Sequence, residues 1–188
     1  MMQRFRSHPA LRSWSALPQL AFHQAGWWAC VIWMGWLGPG MMMAFLVTHL
    51  VIMRHQLRIE LSLVLLSLVL GILLDNALAM VGAVGYVGEI VVGQSPLWLV
   101  AIWAGFGATL RHSQAVLIQS LPIALATGFV GGPLAYLGGE KLERMVVHGG
   151  YGWFAISLLW GIAITTLWWT NNRLSTASTG TTLDPTDR

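Results

Sequence analysis

An all-α transmembrane bundle of about six spans, both termini cytoplasmic, is the fold the sequence predicts, and three observations predict it. Only 9% of the 188 residues are charged and 56% are hydrophobic, whereas soluble domains carry about 25% charged residues. Between residues 61 and 139 there are three formal charges, Asp75, Glu89 and Arg111. With six spans, eight of the ten Lys and Arg residues fall on one side (Arg4, Arg6, Arg12, Arg54, Arg58, Arg111, Arg173, Arg188), leaving Lys141 and Arg144 on the other. By the positive-inside rule the first side is cytoplasmic.

Residues 1–19 are basic and polar and read as a cytoplasmic tail. Residues 20–37 form the first span, closed by the turn signal Gly38-Pro39-Gly40. Residues 41–53 follow, short of the about 20 residues that cross a bilayer core. Residues 59–81 are the cleanest span. Residues 82–95, with Gly82, Gly85, Gly88, Gly93, Tyr86 and Glu89, are too apolar for an ordinary loop and read as an interfacial or re-entrant connection. The fourth span, 97–118, opens behind Pro96, a favoured helix start. The fifth, 122–137, holds Gly131-Gly132-Pro133, and the sixth is 151–170. Residues 171–188 are Ser/Thr-rich without apolar period and read as a disordered cytoplasmic tail. Trp36, Trp98 and Trp153 then mark the outer interface and Trp27, Trp168 and Trp169 the inner one. Trp33, Trp103 and Trp160 lie deeper, in bundle packing.

Several function classes fall away. The net charge of +3 comes from cations in short connections, which is topology rather than a nucleic-acid patch. Cys30 is the only cysteine, so no intrachain disulfide forms. No cofactor or metal is expected: there is no His-x-x-x-His or Cys pair, and ligands would have to come from separate helices. A serine hydrolase lacks its Gly-x-Ser-x-Gly elbow.

Ionisable groups inside hydrocarbon cost about 2.5–3.5 kcal/mol each on insertion scales and tend to face a bundle interior. Asp75 and the run Arg111-His112-Ser113 are therefore the candidates for chemistry. Counting helical rise, Asp75 lies in the outer third of its span and His112 in the inner third of its own. They stand about 15 Å apart in depth, which does not support a direct dyad. Two polar layers result. The inner holds His23, Gln24, His49, Arg111, His112 and Ser113; the outer holds Asp75, Asn76, Tyr136, Glu140 and residues of the 82–95 connection. Asp75 is either a hydrogen-bonded carboxyl near the interface or a proton acceptor that orients a headgroup. Arg111 either snorkels or recognises phosphate beside His112 as acid/base. His23 and His49 lean structural. In Gly128-Phe129-Val130-Gly131-Gly132-Pro133, small residues four apart either let helices pack closely or, with the carbonyls that Pro133 frees, line a cavity, where a lipid-tail slot is expected.

Several stretches together resemble one bacterial inner-membrane family, domain of unknown function 2878. They are Gln24-Ala25-Gly26-Trp27; Leu73-Leu74-Asp75 with Gly82; Pro96-Leu97-Trp98; Trp103; and Phe106 through Thr109-Leu110 to His112-Ser113. Gly131-Gly132-Pro133-Leu134-Ala135-Tyr136-Leu137 with Gly139 completes the set. The resemblance covers roughly residues 20–170. The chain departs from the family pattern at His23, Arg111 and Val116, which shifts weight from Arg111 to His112 and Asp75. The resemblance implies a multi-pass inner-membrane protein without an established activity. Relatives encoded near fatty-acyl and cyclopropane-forming lipid enzymes point to membrane-lipid metabolism.

The expectation is a protein that binds or modifies membrane lipid or fatty-acyl groups. Asp75 and His112 are the catalytic candidates, and Gln24, Arg111, Ser113, Tyr136 and Pro133 the substrate-binding ones. Whether the chain is an enzyme is left open. Two alternatives stand beside it. One is a non-enzymatic anchor for a soluble lipid-metabolism partner, docked on the basic tail, Arg54-His55 and Arg58. The other is a small transporter, for which a homo-oligomer would supply the pathway.

Overall fold

The charge-poor stretches form helices, in line with the all-α class. The computed structural model describes residues 16–33 and 35–180; of the tails expected at 1–19 and 171–188, residues 1–15 and 181–188 lie outside them. Six helices follow in order: α1 (Ala16–Ile32), α2 (Leu37–Ile52), α3 (Leu57–Met80), α4 (Leu97–Thr109), α5 (Leu121–Lys141) and α6 (Gly149–Gly180). Among the described residues three helices are long and apolar enough to cross a membrane: Arg54–Met80, which contains α3; α5; and α6 over Gly149–Thr176. α2 and α4 are apolar but shorter.

Several boundaries differ from expectation. The described part of α1 begins at Ala16, so helix already occupies residues 16–19 of the expected tail. Gly38-Pro39-Gly40 does not end a span but opens α2, with Pro39 in its first turn, where no helical N–H is required. α6 continues through residues 171–180. Extending an existing helix adds one hydrogen bond per residue ordered, and the Thr176 hydroxyl donates back to Asn172 and Arg173 carbonyls.

The fourth span is the largest departure. α4 stops at Thr109, and residues 110–114 form turns followed by a 3-10 helix, Ala115–Ile118. In the fifth, Gly131-Gly132-Pro133 does not break the helix. A π-helical turn, Thr127–Gly131, precedes Pro133, which then sits at the start of a fresh α-helical segment where its missing N–H is harmless.

The 82–95 connection is not helical. It carries β1 (Val84–Tyr86), which pairs antiparallel with β4 (Met145–Val147), and β2 (Ile90–Val92), which pairs with β3 (Ser95–Pro96). Gly93 turns the second ribbon at φ 61°, a conformation that L side chains resist. Asn76 at the end of α3 pins this ribbon: its Nδ2 donates to Ser95 Oγ (2.9 Å) and its Oδ1 accepts from Gln94 N–H (2.6 Å). Trp98 therefore lies in the core, 2% exposed, its indole N–H donating to Val87 O at 2.8 Å. It is not an interfacial anchor. Trp33, expected in the bundle, is half exposed.

α4 is the central helix and packs on α1, α2 and α3; α6 packs on α3 and α5. α5 packs mainly on α6, with further contacts to β4 and the 3-10 helix, and touches α1 and α4 at most marginally. The α5–α6 crossing depends on Gly128. A Cβ there would stand 2.6 Å from Gly161 Cα and 2.7 Å from Trp160 O, and small residues are what let membrane helices approach so closely. Gly128→Leu is expected to lower the melting temperature of the purified protein or abolish its accumulation, with about 1–3 kcal/mol lost to overpacking. Gly138→Leu, where a Cβ meets nothing within 4 Å, should behave as wild type in the same thermal assay.

Candidate functional site

The turn after α4 is held inward by two side chains from elsewhere. Gln19 of α1 accepts from Ser113 N–H (2.9 Å) and donates to Ala108 O (3.1 Å). Glu60, in the first turn of α3, meets Arg111 Nη1 at 3.3 Å, His112 Nε2 at 3.1 Å and His49 Nε2 at 3.3 Å. Glu60 and His49 are fully buried, and the Arg111 and His112 side chains are largely so. Unwinding residues 110–114 places both Arg111 and His112 on Glu60, which one face of a continuous helix would not do.

This cluster gathers groups that ligate metals: one atom each of His49, Glu60 and His112 lie within 4.8 Å of one another. Its hydrogen bonds argue for a different use. The Gln19 amide is oriented by two backbone groups, a donor on its oxygen and an acceptor on its nitrogen. The same nitrogen therefore donates to His49 Nδ1 at 3.2 Å, which fixes the ring proton on Nε2, facing Glu60. A His49 that bound a cation through Nε2 would have to turn an Nδ1–H against that amide. The arrangement reads as an ion network that closes one end of the bundle.

The second cluster surrounds Asp75. Its Oδ2 accepts from the Trp103 indole N–H at 2.9 Å, and its Oδ1 accepts from the hydroxyls of Tyr136 and Tyr86, the latter at 3.1 Å. The carboxyl is 1% exposed, so a group costly to bury is compensated by three donors from α4, α5 and β1. Burial, and then the Asp75 carboxylate beside it, push the Tyr86 phenol above its usual range, which keeps it a donor.

Trp103 and Tyr136, which hold Asp75, also line a cavity of about 260 Å3 in the gap between α5 and the α1–α4 pair. This is just under the roughly 300–1,000 Å3 of small-molecule pockets. Trp27, Trp98, Trp103, Phe106, Tyr136 and Trp160 give it an aromatic wall, and Thr127 and Gly131 of the π-turn lie along α5. Gln24 of α1 and Ala135 of α5 line it and are also exposed. The cavity thus opens sideways, between two helices that barely meet.

The expected site residues therefore separate. Tyr136 and Gln24 line the cavity; Asp75 stands behind Tyr136 and Trp103. Arg111 and His112 belong to the Glu60 network, and the Ser113 backbone bonds Gln19. Pro133 is absent from the lining, and the π-turn before it contributes instead. His23 and Gln24 leave the expected inner layer for the cavity, while Asn76 and Glu140 serve the β-ribbons, Glu140 accepting from Val147 N–H at 2.9 Å. Gln19 and Glu60 were not anticipated; Tyr86 comes from the connection assigned to the outer layer, and Trp160, expected in bundle packing, also lines the cavity. Glu60 had a usable signal: an inner layer with one arginine and several histidines needs an acid, and Glu60 is the carboxylate at that depth.

One family model matches the chain, over residues 16–166, and its description is a protein of unknown function, DUF2878. No curated protein and no solved structure matches.

Proposed function

The chain belongs to the DUF2878 family, and on the shape and lining of its cavity we propose that it binds an acyl chain of membrane lipid, or a fatty-acyl group, from within the bilayer. In this reading the protein is a multi-pass protein of the bacterial inner membrane. Its six helices enter the bilayer, and both termini face the cytoplasm, as the Lys/Arg distribution favours. The observation that carries the reading is the sideways opening between α1 and α5 into an aromatic slot. A hydrocarbon chain can enter by that route without crossing water, and apolar, aromatic walls match it chemically.

Asp75 acts in this reading through Tyr136, whose ring forms part of the wall and whose hydroxyl the carboxylate holds. His112 contributes to the Glu60 network that shapes the turn at the far end, without facing the ligand. A second, docking role also has support: Arg54, His55 and Arg58 are exposed together at the α2–α3 turn, a basic face suited to an acidic soluble partner.

The binding reading is tested by titrating purified protein with a dibromo fatty acid and following tryptophan quenching. Saturable quenching is expected, because four tryptophans line the cavity. Gly131→Leu should shift the curve by about tenfold or more, since a side chain there enters the slot and a Cβ meets only Thr127 Cγ2, at 3.7 Å. Quenching that never saturates, or that ignores Gly131→Leu, would refute the reading.

A further inference from the structure

Buried polar atoms in folded proteins are nearly always hydrogen-bonded, so each unpaired one asks for a partner. Two side chains of the cavity wall carry such atoms. His23 is 3% exposed and edge-on to Phe45, yet neither ring nitrogen completes a hydrogen bond; the adjoining Gln24 side chain reaches towards it without making one of normal geometry. The indole N–H of Trp160, whose ring lies tilted at 37° against Trp103 with ring centres 4.7 Å apart, is buried and unpaired as well. Both face the same slot.

The slot has two chemically different ends. α1 and α5 rise from one end, where His23, Gln24 and Thr127 lie, and α4 descends to it, followed by Gln114. The opposite end is closed by residues such as Leu99 and Met145. From His23 to Val31 the wall of α1 spans about 12 Å, close to the about 15 Å depth of one leaflet's hydrocarbon. Among the described residues no Lys, Arg, Asp or Glu lines the slot. A phosphate would find no counter-charge there, whereas a carbonyl oxygen would find donors.

Building on the acyl-binding reading, we infer that the cavity seats a single-chain amphiphile in one orientation. Its acyl carbonyl or carboxyl is hydrogen-bonded at the His23 end, and its methyl end points towards Leu99 and Met145. The shared chemistry is a carbonyl oxygen at the head of one acyl chain, whether the chain is a free acid or an ester. Trp160 offers a further donor partway along the wall.

Two photoreactive fatty acids test the orientation on the unaltered full-length protein, one with its diazirine beside the carboxyl and one with it at the methyl end. Mapped adducts of the first are expected at α1 around Gln24 and near Gln114, and those of the second near Leu99 and Met145. A reversed or mixed pattern overturns the head assignment while leaving an occupied cavity. If neither oleic acid nor methyl oleate competes for labelling, the acyl-binding reading fails too. Competition by oleic acid alone identifies a free acid, and competition by the ester an ester-linked chain; either supports the shared chemistry.

His23→Phe keeps an aromatic ring against Phe45 and removes both nitrogens. It is expected to weaken oleic acid as a competitor by about tenfold and to leave octadecene, the same chain without a head, unchanged. Equal loss for both, or for neither, contradicts the inference. Should that variant fail to fold, the adduct pattern of the unaltered protein decides alone.

Discussion

Glu60→Leu is expected to be the most destabilising single change in the protein, with little folded protein recovered from membranes. The reason is an unbalanced network: Glu60 is the anion on which Arg111, His112 and His49 converge. Removing one partner of a buried ion pair costs about 3–5 kcal/mol, because the remaining charge stays out of water. Removing both is milder, so the double variant Glu60→Leu with Arg111→Leu should recover a large part of the melting temperature. This result separates the ion network from a metal centre. If Glu60, His49 and His112 held a cation, the double variant would be no better than the single one, and chelation would lower the melting temperature of the unaltered protein. The hydrogen bond from Gln19 to His49 Nδ1 predicts that chelator has no effect.

Asp75→Ala is expected to have the second largest effect, for the opposite electrostatic reason. It removes an acceptor and leaves donors behind. Trp103 N–H and Tyr136 O–H are buried at 3% and 2% exposure, and an unsatisfied buried donor costs about 1–3 kcal/mol. A loss of about 3 kcal/mol is expected, together with disorder of the aromatic wall, because both rings line the cavity. Asp75→Asn should fall between. Its amide oxygen can take the Trp103 N–H while its NH2 donates to the tyrosine oxygens, and the two phenols, 3.4 Å apart, can satisfy only one of their own hydrogens on each other. Thermal unfolding of the three proteins, read with acyl-probe binding at low temperature, measures both effects. Equal stability of the alanine and asparagine variants would show that Asp75 does not act as an acceptor.

Much of the helical frame was legible in the chain because burial in hydrocarbon leaves a strong compositional mark. The α3 run and the start of α4 behind Pro96 follow directly from it. What composition could not show was where tertiary hydrogen bonds override hydropathy. Leu110 and Ala115-Val116-Leu117-Ile118 continue the apolar character of α4, yet the helix ends at Thr109 because Gln19, far away in sequence, takes the Ser113 N–H and Glu60 draws in Arg111 and His112. Proline was ambiguous for a positional reason: Pro39, part of a closing turn signal by composition, stands in the first turn of α2, and proline opens helices as readily as it closes them. The β-ribbons did carry a signal, since Ile90-Val91-Val92 between Gly88 and Gly93 is a strand pattern, although its apolar character read as membrane. At the candidate site, the weight placed on Asp75 and Tyr136 identified one cluster. The cavity itself was not visible, because it arises from a gap between α1 and α5 and not from any motif.

Native mass spectrometry of the protein released from mild detergent tests the acyl-binding claim most directly. The unaltered chain should retain an acyl-bearing molecule at one per chain, and Gly131→Leu, equally folded, should emerge without it. An unaltered protein free of bound lipid, or a Gly131→Leu protein that carries the same mass, would contradict the account.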